Sequence, residues 1–281
     1  MVIHDIHAII TILANILLGL DELMINIIQI TDLHLYADRD QIANNINTFK
    51  SAQLVFEAIN NNEVAFDMLI LSGDLSGDES FESYENLKYL LKSFKCPIYL
   101  MPGNHDSPQK IKSMCNGKNL KSQNYKSVGE WGIFMFNTKK DNSPNGILHQ
   151  NELDYFDKVI SDNENSFLLV MLHHHPILIG SDSMDKMIIE NSTELLDRIN
   201  NNKIKGVGWG HIHNEISIDY KGAQLFSTPS TCYQAKPKSK KFTIDHSQSP
   251  GYRVIRLQDG GVIDTEVIRV NLKQGKDISQ A

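Results

Sequence analysis

Short apolar runs that each end in a cluster of Asp, His or Asn constrain this chain more than any other feature of its sequence. Ile25–Ile30 (INIIQI) runs into Thr31-Asp32-Leu33-His34, 68–71 (MLIL) into Ser72-Gly73-Asp74, and Ile98–Met101 (IYLM) into Pro102-Gly103-Asn104-His105-Asp106. Downstream, 167–172 (FLLVML) leads directly to His173-His174-His175-Pro176, and Ile204–Trp209 to Gly210-His211-Ile212-His213. Runs of this length and apolarity read as strands buried on both faces. A further strand is expected at 133–136, and helices at 44–60, 81–94, 150–160 and 193–199, where apolar residues recur at three- and four-residue spacing. Strands at 215–219, Ala223–Ser227, 252–257 and 262–270, separated by Gly-containing turns, point to a second sheet. The pattern is that of a layered α/β protein.

Five strands therefore deliver Asp, His or Asn at their carboxyl ends, the edge at which open α/β sheets bind ligands. A single Asp-x-His or Gly-Asp after a strand is usually a turn or capping residue. Five in series, with glycines that permit close backbone approach, point to one assembled metal site. The imidazole, carboxylate and amide donors suit Mn²⁺, Fe²⁺ or Zn²⁺ and do not suit soft-metal or iron–sulfur sites. The candidates are too many for one ion, and paired ions sharing a carboxylate are the usual arrangement where phosphoryl oxygens must be activated together.

Composition narrows the partners. The chain's 281 residues suffice for one sizeable core, and nothing in the sequence reads as a dividing linker. Lys and Arg total 27 against 34 Asp and Glu, a net charge of −7, which argues against a surface built to coat nucleic acid or anionic membranes. No stable nucleic-acid partner is expected. Cys96, Cys115 and Cys232 are odd in number and widely spaced, with no CxxC pair, as suits reduced thiols in a cytoplasmic protein. The uncharged run at 8–20 is too short for a transmembrane span and lacks a basic segment before it. It reads as an added helix or an upstream extension, with membrane or dimer contact as the alternative. Residues 1–23 are accordingly set apart as an N-terminal apolar extension, 24–270 as the domain and 271–281 as a tail.

Taken together, Asp32-x-His34, Gly73-Asp74, Gly103-Asn104-His105-Asp106, His174-x-Pro176 and Gly210-His211-x-His213 resemble the signature of the calcineurin-like metallophosphoesterases, in that family's order. The stretches at 30–35, 173–176 and 228–237 further resemble the bacterial class III cyclic-AMP phosphodiesterases, and the likeness runs from about Ile25 to Val270. With the strand reading, it implies a four-layer α/β/β/α sandwich of two mixed sheets. It also implies two divalent ions, Fe²⁺ or Mn²⁺ or both, held by Asp32, His34 and His213 on one side and Asn104, His174 and His211 on the other, with Asp74 bridging.

Within the triplet the resemblance points to His174, because the family's His-x-Pro spacing places the ligand two residues before Pro176, which leaves His173 and His175 to orient it or to pack. His105, beside Asn104 and oriented by Asp106, resembles the residue that contacts phosphate and protonates the departing alkoxide. Asn104, His105 and His211 are the implied substrate contacts. The implied reaction is hydrolysis of 3′,5′-cyclic AMP to 5′-AMP by a hydroxide bridging the ions. Alternatives are 2′,3′-cyclic nucleotides, other diesters or phosphomonoesters, since one metal core serves many phosphate esters, and a non-catalytic scaffold. Lys236, Lys238, Lys240 and Lys241 either border a nucleotide pocket or form solvated surface, and Tyr233 either stacks on a base or packs. A homodimer is compatible with the sequence.

Overall fold

Period-two alternation along the strands decides the layers. In the computed structural model, which describes residues 24–62, 65–115, 117, 119–163 and 166–271, β1 (Ile25–Ile30) places Ile28 and Ile30 in one core and Ile25 and Ile27 in another. β4 (Met68–Ser72) divides in the same way, Leu69 and Leu71 from Met68 and Ile70, and so does β9 (Phe167–Met171), Leu168 and Val170 from Leu169 and Met171. Each of these strands is buried on both faces, which explains why the sequence shows apolar runs rather than apolar–polar alternation.

Two mixed six-stranded sheets result. Sheet one has the order β14-β13-β1-β4-β5-β6, where β5 is Ile98–Met101, β6 Leu120–Lys121, β13 Gly251–Gln258 and β14 Val262–Arg269. Sheet two has the order β11-β12-β10-β9-β8-β7, where β7 is Tyr125–Val128, β8 Trp131–Met135, β10 Ile204–Trp209, β11 Ile216–Tyr220 and β12 Ala223–Ser227. Strands β1, β4 and β5 run parallel, as do β8, β9, β10 and β12.

One core lies between the sheets, joining Ile27 and Ile70 to Ile133, Leu169 and Met171. A second packs sheet one against helix α1 (Thr48–Asn60) and helix α2 (Phe81–Leu91) through residues such as Val55, Phe56 and Leu87. Helix α3 (Pro108–Met114) joins that layer. The third packs sheet two against α4 (Gln150–Asp162) and α5 (Thr193–Leu196). The expected α/β/β/α sandwich is what forms. No helix among the described residues is long and apolar enough to cross a membrane.

Local departures have local causes. The helix expected at 44–60 begins only at Thr48, because β2 (Ile42–Ala43) and β3 (Ile46–Asn47) form a tight hairpin turning on Asn44 and Asn45, both at positive φ. The Asn47 side chain then caps the helix by accepting from Lys50 N at 2.8 Å. The segment expected as helix at 193–199 is a single turn followed by a 3₁₀ stretch at Arg198–Asn201. Helix α3 and β7, which turns at Gly129 (φ 54°) into the strand expected at 133–136 (β8), carry too few periodic apolar residues to stand out in the sequence. The apolar extension at 1–23 and nearly all of the tail at 271–281 lie outside the described residues.

Candidate metal centre

Parallel pairing of β1, β4 and β5 brings the loops that follow them to one edge, where backbone bonds lock them in register. Asp32 N donates to Gly73 O at 3.0 Å and His34 N to Asp74 O at 2.9 Å. From sheet two, Gly210 N donates to His173 O at 3.1 Å. The turns are sharp: Asp32 (φ 54°), His34 (46°), Asp74 (50°), His211 (66°) and His213 (48°) all occupy the left-handed region. Such conformations cost non-glycine residues roughly 1–3 kcal/mol each and gather at functional sites. Two glycines make room for the acids. A Cβ on Gly103 would stand 2.1 Å from Asp74 Oδ1, and one on Gly210 would stand 1.9 Å from Thr31 Oγ1.

The side chains converge in two overlapping groups. His213 Nε2 lies 3.4 Å from Asp32 Oδ1 and 3.1 Å from His34 Nε2, whose other neighbour is Asp74 Oδ2 at 3.6 Å. Across Asp74, His173 Nε2 lies 3.3 Å from Asp74 Oδ1 and 3.2 Å from Asn104 Oδ1. Ligand atoms of Asp32, Asp74 and His173 lie within 4.8 Å of one another, as do those of Asp32, His34 and His213 and those of His173, His174 and His211. Asp74 faces both groups, the position a shared ligand needs. The rings are aimed from behind, His213 Nδ1 toward Tyr233 O at 2.8 Å and His173 Nδ1 toward Ser72 O at 2.9 Å. Such partners fix the tautomer and turn Nε2 inward.

Burial would push both carboxyls up, but His213 beside Asp32 and His173 beside Asp74 hold them below the usual value, Asp74 well below. In return, and against the effect of burial, Asp74 carries His173 up to about 9 and Asp32 raises His213. His34 is taken down to about 3 by burial, and burial and neighbouring imidazoles hold His211 well below its ordinary value. The cluster thus pairs its buried anions with the raised His173 and His213, while burial keeps His34 and His211 neutral. His211 Nε2 and His174 Nε2 are buried without a hydrogen-bond partner, a costly state that a bound cation relieves. The donor set fits divalent ions. Cys232 is no competitor, because burial pushes its thiol up to about 12 and its Sγ turns to Asp32 O at 3.3 Å.

Asp32, His34, Asp74, Asn104, His173, His211 and His213 are thus brought together, and two expectations change. His173, rather than His174, aims a ring nitrogen at Asp74 and Asn104. The His174 ring stays within reach of His211, centroids 4.6 Å apart, but its Nδ1 is engaged by Thr138 Oγ1 at 2.7 Å. Strand parity explains the difference: His173 continues the face of Leu169 and Met171 toward sheet one, whereas His174 continues that of Leu168 and Val170 toward the helices. Asp106, expected to orient His105, instead ties loops together. It accepts from Gly103 N, Leu75 N, Ser76 N and the Tyr84 hydroxyl at 2.9–3.1 Å. His105 is exposed, with its ring 5.0 Å from that of His34 and its backbone N donating to Asp74 Oδ1 at 2.9 Å. Tyr233 stacks on His34 and His213, centroids 5.5 and 4.7 Å away, which is the packing reading. Lys236, Lys238, Lys240 and Lys241 are solvent-exposed. Thr138 carries no motif, and only its place two residues beyond Phe136 on the helix-facing side of β8 marks it.

A family profile described as calcineurin-like phosphoesterase matches residues 25–215. The chain is 33% identical over 253 residues to the 3′,5′-cyclic adenosine monophosphate phosphodiesterase CpdA of Escherichia coli, covering 89% of this chain and 91% of that protein. It is also 33% identical over 251 residues to a 3′,5′-cyclic-nucleotide phosphodiesterase of Nostoc sp., covering 89% and 94%. Among solved structures, a dimetal phosphatase from Danio rerio superposes with a TM-score of 0.62 at 15% identity, over 88% of this chain and 99% of that one. The sequence match, the shared fold and the His/Asp cluster at one strand edge agree, and the chain belongs to the calcineurin-like phosphoesterase family.

Proposed function

We propose that this chain is a metal-dependent phosphodiesterase that hydrolyses 3′,5′-cyclic AMP to 5′-AMP. The carrying observation is the buried cluster in which Asp74 stands between two sets of inward-facing donors, with the exposed His105 beside it. The names of relatives 33% identical along nine-tenths of the chain support the substrate. In this reading Asp32, His34 and His213 would hold one divalent ion, Asn104, His173 and His211 would hold the other, and Asp74 would be shared. Fe²⁺ and Mn²⁺ match the nitrogen and oxygen donors. When bound, the ions supply a water nucleophile active at neutral pH and charge to offset that of the phosphoryl oxygens.

The chain's own residues do the rest. The Asn104 amide and the His211 ring border the position of the phosphoryl group, and the His105 imidazole donates a proton to the departing 3′-oxygen. The loop register set by Asp106 holds His105 beside Asp74. The free thiols of Cys96, Cys115 and Cys232 accord with a cytoplasmic enzyme. The test is metal analysis of the purified protein, then assays on 3′,5′-cyclic AMP, its 2′,3′ isomer and bis(p-nitrophenyl) phosphate. Hydrolysis of the 2′,3′ isomer in preference to cyclic AMP overturns the substrate, and a protein that binds no divalent ion overturns the reading as a whole.

A further inference from the structure

A polar cleft of about 590 Å³ opens beside the metal centre, with Asn104 and His105 at its inner end and Glu79, Gln109, Lys139 and Ser143 along its walls. Its volume is that of a small-ligand site, for which about 300–1,000 Å³ is usual. On its other flank His105 is closed in: the His34 ring stands edge-on at 5.0 Å, and Tyr233 stacks behind His34. A leaving group protonated by His105 therefore extends into the cleft.

The cleft is held in shape by bonds between loops of both sheets. Lys139, from the loop after β8, donates to Asn104 O at 2.9 Å and to Glu79 Oε1 at 3.1 Å, and its side chain is only 12% exposed. Glu79 sits at positive φ (52°), and its carbonyl accepts from the Lys110 ammonium. An ammonium has three donors, so these two bonds leave Lys139 one for a ligand hydroxyl, while the half-exposed Glu79 carboxylate offers acceptors to hydroxyl or amino groups. A preformed cleft of this kind demands little reordering on binding.

We propose that this cleft is a nucleoside pocket, taking the sugar and base on the leaving-group side of the diester, with Lys139 and Glu79 facing the ribose or base. The proposal rests on the phosphodiesterase reading above. It predicts that Ser143→Trp and Gln109→Trp, which fill the cleft from two different chain segments, each lower the ratio of kcat/KM on cyclic AMP to that on bis(p-nitrophenyl) phosphate by about tenfold or more, through KM for cyclic AMP. Elemental analysis and the unfolding temperature measure metal loading and folding independently of the cleft, so if one variant fails either measure the other decides. Adenosine should also slow wild-type hydrolysis of the artificial diester competitively. Unchanged ratios in an enzyme that hydrolyses both substrates, or no effect of adenosine at any soluble concentration, overturn the pocket alone. A wild-type enzyme that hydrolyses the artificial diester but no cyclic nucleotide overturns the proposed substrate and takes this pocket's occupant with it.

Discussion

Sheet one brings both carboxylates and the amide to the centre, Asp32, Asp74 and Asn104 with His34, whereas sheet two brings imidazoles alone, His173, His174, His211 and His213. Neither edge is a site by itself. The anions of one are countered across the inter-sheet seam by His173 and His213 of the other, which Asp74 and Asp32 hold above the ordinary histidine value against burial. Metal affinity should therefore depend on how well the two sheets pack as much as on the ligands themselves. The sharpest break comes from removing the carboxylate that both halves share. Asp74→Ala should abolish activity and strip bound metal, as read by elemental analysis of the purified variant. Retention of both ions would show that the halves bind independently.

Within sheet two the effects should separate by strand parity. His173→Ala, facing sheet one, should lose one of the two ions with a corresponding collapse of turnover. His174→Ala, facing the helices and bonded to Thr138, should keep both ions with metal affinity lower by about 10–100-fold. The reverse order would return the ligand role to His174.

That pair also marks what was legible in the sequence. The strand ends were, because buried parallel strands are written as apolar runs, and a polar cluster directly after one has no place but the sheet edge. The layer order followed from those runs, both of whose faces had to be covered, together with the resemblance to the calcineurin-like metallophosphoesterases. The choice inside the triplet turned on spacing to Pro176, whereas the alternation of Leu169, Met171 and His173 favours His173 and leaves the ligand role to be tested. Asp106 deceived for another reason: four partners drawn from three chain segments, 75–76, 84 and 103, are invisible from its neighbours in sequence. Lys139 and Glu79, 60 residues apart, meet only because the β4 loop and the β8 loop belong to facing sheets.

His105 stands at sheet one's edge with a ring nitrogen within 4.8 Å of ligand atoms of His34 and Asp74, but it is exposed and assigned to the substrate, so its loss should leave the metals in place. His105→Ala should bind both ions and lose turnover on cyclic AMP by about 10²–10⁴-fold, the usual range for a lost general acid. The deficit should shrink on bis(p-nitrophenyl) phosphate, whose leaving group departs without a proton. Equal losses on both substrates at full metal occupancy would leave His105 with phosphate positioning only.

The smallest effect is expected where the two edges touch through a side chain that is no ligand. Tyr233 lies across His34 of sheet one and His213 of sheet two, and its carbonyl accepts from His213 Nδ1 at 2.8 Å. Tyr233→Phe keeps the ring and the carbonyl, and should match wild type in metal content and turnover. Tyr233→Ala keeps only the carbonyl, which frees both imidazoles to tilt, and metal affinity should fall by about tenfold, the low end for a group that orients ligands. Metal titration of the three proteins side by side reads the difference. Should Phe prove as damaging as Ala, the hydroxyl and not the stacked ring is what joins the two halves, and the seam would be polar at this point rather than packed.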